Sequence, residues 1–288
     1  MNTTQTTENM AGNVPELLRR LRLPTMASEL AEATKRAEAN DWTPKAFLGH
    51  LAYAEVEARR VRRVARNLKA SHLPPGKTLD TLNLKRYALK VRRQVGTLVS
   101  GNFLDQAENV LLFGLPGRGK SHMAIAIGYE MVQRGYKVLF TPTYQLVQRL
   151  LIAKRELQLE KLLCRLDKFD CVILDDIGYV QQERDEIEVL FTFLGERYER
   201  RSVIVTSNLV FSKWDKIFKD PMTTACAIER LVHYSTILEL VCKKSHRLEE
   251  AEKRNQGINL NTPGHDTADG RNETKTVADP DQENVESE

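Results

Sequence analysis

Long apolar runs are missing from this 288-residue chain: none approaches the ~20 consecutive residues that a membrane-spanning helix needs. The features of a secretion leader are not expected either, because the opening MNTTQTTENMAGN is polar and has neither a basic lead nor an apolar stretch. These two absences predict a cytoplasmic protein with no membrane partner. Cysteine is scarce. Cys164, Cys171, Cys226 and Cys242 stand far apart with no CxxC pair, which argues against a zinc site or a disulfide framework and predicts reduced, mostly buried thiols. No internal repeat is visible.

Acidic residues are almost absent from one stretch. Between Arg59 and Arg93 twelve Lys or Arg stand against Asp80 alone, and so basic a surface favours a polyanionic partner. The formal net charge of +4 hides this asymmetry, since residues 255–288 carry eight acidic side chains against Arg271 and Lys275 and therefore a net −6. That tail is polar and poor in large apolar side chains, so it cannot offset the entropy of ordering; an acidic disordered tail is expected there, and a disordered start over residues 1–13.

What is present falls into two patterns. Thr43-Pro44 reads as a helix start, with a capping hydroxyl and a proline where its missing N–H costs nothing. Phe47, Leu51, Ala54, Ala58, Val61, Ala65 and Leu68 then recur at spacings of three and four and predict one apolar stripe, with Arg59, Arg62, Arg63 and Arg66 on the other side. Shorter helical patterns around 15–21 and 24–39 precede it, and His72-Leu-Pro-Pro-Gly76 closes the region, so residues 14–75 are expected to form a small, basic, all-helical domain. Beyond it, short runs rich in Val, Ile and Leu at 109–114, 137–142, 171–176, 202–208 and 236–240 alternate with helical stretches. That alternation predicts an α/β domain over 76–254 with a parallel sheet covered by helices on both faces.

The chemistry-bearing motifs lie at the ends of those runs. Gly114-Leu115-Pro116-Gly117-Arg118-Gly119-Lys120-Ser121 fits GxxxxGK[ST] and stands between a predicted strand and a predicted helix. Such a loop wraps phosphate oxygens with backbone N–H groups, sends its lysine to the β/γ-phosphates and places its hydroxyl on magnesium. Residues 114–121, with His122 following, are the candidate ATP site. Asp175 and Asp176 end the run at 171–176, about 50 residues further on; Asp175 is the candidate partner of Mg2+ alongside Ser121, and Asp176 the candidate that orients or deprotonates the attacking water. Asn208 ends the next run and would face the γ-phosphate if its strand lies between the other two; otherwise it caps a turn.

These motifs in this order, with no NKxD segment for guanine, resemble the AAA+ superfamily. The blocks GRGKSHMAIAIGYE, TYQLVQRLLIAKRE, ILDDIGYV, VTSNLVFSKWDKIF, IERLVHYSTILEL and KKSHRLEE resemble those of IstB-type transposition helper ATPases and of their relative, the DnaC helicase loader, over roughly residues 14–250. The resemblance implies an ATPase that assembles as a homo-oligomer with ATP at subunit interfaces. It also implies duplex DNA and the transposase of the same element as partners. Arg230 corresponds to an arginine finger and Arg247 to a second phosphate sensor, with His246 in place of the usual tyrosine. Asp176 replaces a frequent glutamate. Arg149, Lys154 and Arg155 occupy a helical insertion where relatives touch DNA, and they join Arg59, Arg62, Arg63 and Arg66 as DNA-binding candidates. A helicase loader, or a DNA-binding module that uses ATP with little hydrolysis, are the alternative readings.

Overall fold

The computed structural model describes residues 13–178, 184–209, 214 and 228–241. The expectations for residues 1–12, for the tail and for Cys226 and Cys242 lie outside them.

Three helices open the chain: α1 (Val14–Arg20), α2 (Pro24–Ala39) and α3 (Pro44–Ser71). Proline sits in the first turn of each, and the Thr43 hydroxyl accepts from Ala46 N at 3.2 Å. Helix α3, about 42 Å long at 1.5 Å per residue, does not keep one apolar stripe as its spacing suggests. Its first half packs Phe47 and Leu51 against Met26 and Ala33 of α2, whereas its second half packs Val64 and Leu68 into the core of the following domain. These two sets point about 100° apart around the helix, because two different partners cover it in succession. Val61, between them, is 60% exposed. Asn67 anchors the second half by donating to Gly135 O at 2.9 Å and Tyr136 O at 3.1 Å.

After a 3-10 turn (Leu84–Arg86) and helices α4 (Leu89–Val99) and α5 (Asn102–Asp105), the sheet begins with β1 (Asn109–Phe113). It continues through α6 (Lys120–Gln133), β2 (Val138–Pro142), α7 (Thr143–Arg155), α8 (Leu159–Leu166), β3 (Cys171–Ile177), α9 (Arg184–Arg197), β4 (Ser202–Ser207) and β5 (Ser235–Glu239). All five strands are parallel, in the order β2-β3-β4-β1-β5. Val110, Leu112, Ile173, Ile204 and Leu238 point to one face, where α4 and α6 cover them; Leu111, Phe113, Val172, Leu174 and Val205 point to the other, beneath α7 and α9. Both faces are thus sealed, which is why the strands read as continuous apolar runs.

Arg197 and Cys171 are ionisable groups buried in this core. Arg197 is 2% exposed and donates to the carbonyls of Leu166, Phe169 and Ser202 at 2.9–3.0 Å, tying the approach to β3 to the start of β4. Burial lowers its pKa to about 10. Cys171 is buried, which pushes its thiol up to about 12 and keeps it protonated, but Cys164 is exposed rather than buried. Among the described residues no helix is long and apolar enough to cross a membrane.

Candidate functional site

The turn after β1 is shaped by what glycine lacks. A Cβ on Gly114 would stand 2.7 Å from Leu240 O, so only glycine lets the chain pass beneath the end of β5. Gly117 and Gly119 have φ of 75° and 86°, and a Cβ on Gly119 would collide with the hydroxyl of Tyr87. Tyr87 is itself buried and donates to Arg118 O at 2.9 Å, bracing the loop from a segment about thirty residues upstream. Lys120 opens α6 and is 8% exposed; its Nζ donates to Gly114 O at 2.7 Å and Leu115 O at 3.2 Å, which holds the ammonium inside the turn. Ser121 is half-buried beside it. The His122 ring faces away, 3.1 Å from Thr81 Oγ1 and 3.2 Å from Thr78 O, so its side chain ties α6 to the preceding segment.

Strand β3 carries the acids. Its register against β4 shifts between Leu174 and Ile177, and within that bulge Asp176 is exposed with a φ of 64° while Asp175 is half-buried. The buried Thr206 spans both: its hydroxyl donates to Asp175 Oδ1 at 2.6 Å and accepts from Asp176 N at 2.8 Å. Thr143 Oγ1 donates to Asp175 O at 2.9 Å from the start of α7. Sequence reading missed Thr206, Thr143 and Tyr87 as supports, because each acts through a contact set by the fold.

Strand β4 lies between β1 and β3, so the condition attached to Asn208 holds. Ser207 pairs with Phe113 on one side and Ile177 on the other, and Asn208 leaves the sheet between the glycine turn and the acids. Its Oδ1 is buried and has no hydrogen-bond partner among the described residues. A buried orphan acceptor is unfavourable unless a donor is supplied, and a water or hydroxyl group beside it fits that need. Together with the glycine cradle, the lysine and the acids, it makes the residues present fit a magnesium–nucleoside triphosphate. Among the described residues no cluster of three His, Cys, Asp or Glu could hold a metal by itself. Ser121 and Asp175 are oxygen donors of the kind that magnesium uses sparingly when phosphates and waters complete its shell.

The other candidates lie apart. Arg230, in the helical stretch 228–233, is exposed, and its Nη1 lies 3.7 Å from where a Cβ on Gly195 of α9 would stand. Buried Leu231 anchors that stretch, and Tyr198 Oη lies 3.1 Å from His233 Nδ1. Arg247 lies outside the described residues. Arg59 and Arg62 are half-committed: both contact the buried Glu55, at 2.9 and 3.3 Å, while about half of each side chain stays exposed. Arg63 lies against Gly135, and Arg66 is exposed. Lys154 pairs with Glu188 at 2.9 Å; Arg149 and Arg155 are exposed on α7.

A parallel sheet in this strand order, with a glycine turn after β1, acids at the end of β3 and an asparagine after the intervening strand, defines an AAA+ P-loop protein. The chain belongs to the IstB-like ATP binding protein family, whose profile matches residues 16–254. An insertion sequence ATP-binding protein of Sinorhizobium fredii is 42% identical over 243 residues, covering 84% of this chain and 82% of that one. The insertion sequence IS21 ATP-binding protein of Pseudomonas aeruginosa is 35% identical over 242 residues, 84% of this chain and 90% of the other. Among solved structures, the replication initiator DnaA bound to AMPPCP and single-stranded DNA superposes with a TM-score of 0.52 at 18% identity, over 66% of this chain and 57% of that one. DnaI superposes with a TM-score of 0.50 at 18% identity, over 59% and 96%. At these identities the structures share the fold alone.

Proposed function

We propose that this chain is an ATP-dependent, DNA-binding ATPase that assembles on duplex target DNA and recruits or stimulates the transposase of its element. The observation that carries this reading is the convergence, at the ends of three adjacent strands, of the glycine turn, the Asp175–Asp176 pair and the Oδ1 of Asn208, unpartnered among the described residues. Bound Mg-ATP supplies the phosphoanhydride and a cation that spreads its charge. Lys120 holds the phosphates, Ser121 and Asp175 hold the magnesium shell, and Asn208 and Asp176 orient the attacking water, Asp176 as its base. Arg230, exposed and away from its own glycine turn, reaches the phosphate held by a neighbouring copy, and Arg247 senses it within the chain. That arrangement makes the oligomer the active form.

The relatives' names support the insertion-sequence setting. For DNA, the support is the basic surface of residues 14–75 and the exposed cations of α7, which favour phosphate contacts without sequence readout. The helices of residues 14–75 form the DNA-binding module and residues 76–254 the ATPase module.

Sedimentation of the full chain with duplex DNA and a slowly hydrolysed ATP analogue tests this reading. Large ATP-dependent complexes are expected for the wild type and none for Lys120→Ala. Equal assembly by that variant overturns the mechanism. One observation favours a variant of this reading in which ATP serves chiefly as an assembly ligand: Asp176 is short and held at a left-handed φ, which limits its reach. Phosphate release measured with and without DNA separates the two.

A further inference from the structure

Helix α7 ends in a hydrogen-bonded stop: Leu157 N donates to Lys154 O at 3.2 Å and Gln158 N to Ala153 O at 2.7 Å. The residue that takes the left-handed conformation in such a stop is usually glycine, sometimes asparagine. Here it is Leu157, with a φ of 56° and 91% exposure. A leucine gains nothing there, since its backbone is strained by its own Cβ and its side chain buries no surface. Among the described residues it is the most exposed of the large apolar side chains.

Its surroundings suit one kind of partner. Beside it, between α7 and α8, runs an open groove of about 330 Å³ lined by Arg149, Ile152, Glu156, Lys161 and Arg165. Ile152 is 52% exposed. Three cations thus stand against one carboxylate around an apolar point, and Arg155 adds a further exposed cation at the end of α7. A protein partner would need acidic groups to meet this rim, whereas nucleic acid offers phosphates and, between base pairs, an apolar slot. Side chains such as leucine and isoleucine enter base steps from the minor groove and kink the duplex, provided cations hold the flanking backbone.

We propose that the α7–α8 turn is a DNA-deforming wedge: Leu157 enters a base step of duplex DNA while Arg149, Lys161 and Arg165 hold the flanking phosphates. This rests on the DNA-binding reading above and adds to it a mode of contact. The wedge unstacks a step, so pyrimidine–purine steps, which open most easily, are preferred without any base-edge contact.

Duplexes carrying 2-aminopurine at a pyrimidine–purine step, mixed with the full chain and a slowly hydrolysed ATP analogue, provide the test. Bound wild-type protein should raise the 2-aminopurine fluorescence as the step opens. Leu157→Asn relieves the backbone, so its Tm should equal or exceed the wild-type value; it should still bind duplex yet lose most of the fluorescence rise. Lys161→Ala and Arg165→Ala should each lower the salt dependence of binding by about one ion and keep the rise per bound complex. An undiminished rise with Leu157→Asn, or no rise with duplex-bound wild type, overturns the wedge and leaves duplex binding standing. Binding to single strands only overturns the wedge and the duplex reading together.

Discussion

The hydroxyl of Thr206 lies 2.6 Å from Asp175 Oδ1 and at the same time takes the N–H of Asp176 at 2.8 Å, so one buried side chain on β4 sets both candidate acids on β3. A hydrogen bond to a charged group contributes about 1.5–3 kcal/mol, which corresponds to roughly 10- to 150-fold in a rate it controls. Thr206→Val keeps the volume and removes the bond. Its ATP turnover should fall by about that factor with a smaller change in KM, and Thr206→Ser should restore most of it. Equal turnover in the valine variant would show that Asp175 needs no such support.

Arg230 offers a test of assembly. In Arg230→Ala, nucleotide binding should persist while turnover falls on the order of 10³-fold, the usual worth of such a residue. Mixing it with Lys120→Ala should regain part of the activity, because one variant supplies the intact pocket and the other the arginine. Normal turnover of Arg230→Ala at saturating protein removes the assignment.

The brace on the glycine turn should be visible in affinity. Gly119→Ala forces a methyl group against the Tyr87 hydroxyl at a φ of 86°, and a left-handed non-glycine residue costs about 1–2 kcal/mol before any collision. ATP affinity by fluorescence titration should drop by about tenfold or more. Adding Tyr87→Ala should recover only the part due to the collision. Unchanged affinity in Gly119→Ala would mean that the turn tolerates a side chain there.

Glu55 makes the N-terminal helices acid-sensitive. Burial alone would raise its pKa, but hydrogen bonds from Arg59, Met26 N and Thr25 N outweigh that and leave it below the ordinary carboxyl value of 4.5. The stability it contributes is therefore complete above about pH 4.5 and is lost as the pH falls through the lower folded-state value. Helix content followed by circular dichroism should decline over that acid range, and Glu55→Gln should be less stable at neutral pH with a flatter acid profile. Parallel profiles for the two proteins would exclude Glu55 as the cause.

Much of this fold was legible in the residues. All five strands fall within a residue or two of the apolar runs, because strands buried on both faces need no alternation to be recognised. The helix starts at Pro24 and Pro44 follow from proline's place in the first turn. The motifs at Gly114–Ser121, Asp175–Asp176 and Asn208 were equally plain, although the place of Asn208 depended on a strand order that only the crossovers decide. The supports were not legible: Thr206 meets Asp175 across 31 residues, and Tyr87 meets Arg118 across the same separation. Nor does spacing reveal that Glu55 turns inward on an arginine-rich helix, or that Arg197 is a buried clasp rather than a wet-face charge. A period reports one buried face, and α3 has two.

The central claim is that the turn from Gly114 to Ser121 grips ATP with magnesium, and equilibrium titration of Mg-ATP against the wild type and Lys120→Ala tests it most directly. Saturable binding by the wild type, weakened by at least about 10-fold when the charged hydrogen bonds of Lys120 are removed, is the predicted result. No affinity in the wild type, or the same affinity in both proteins, would contradict it.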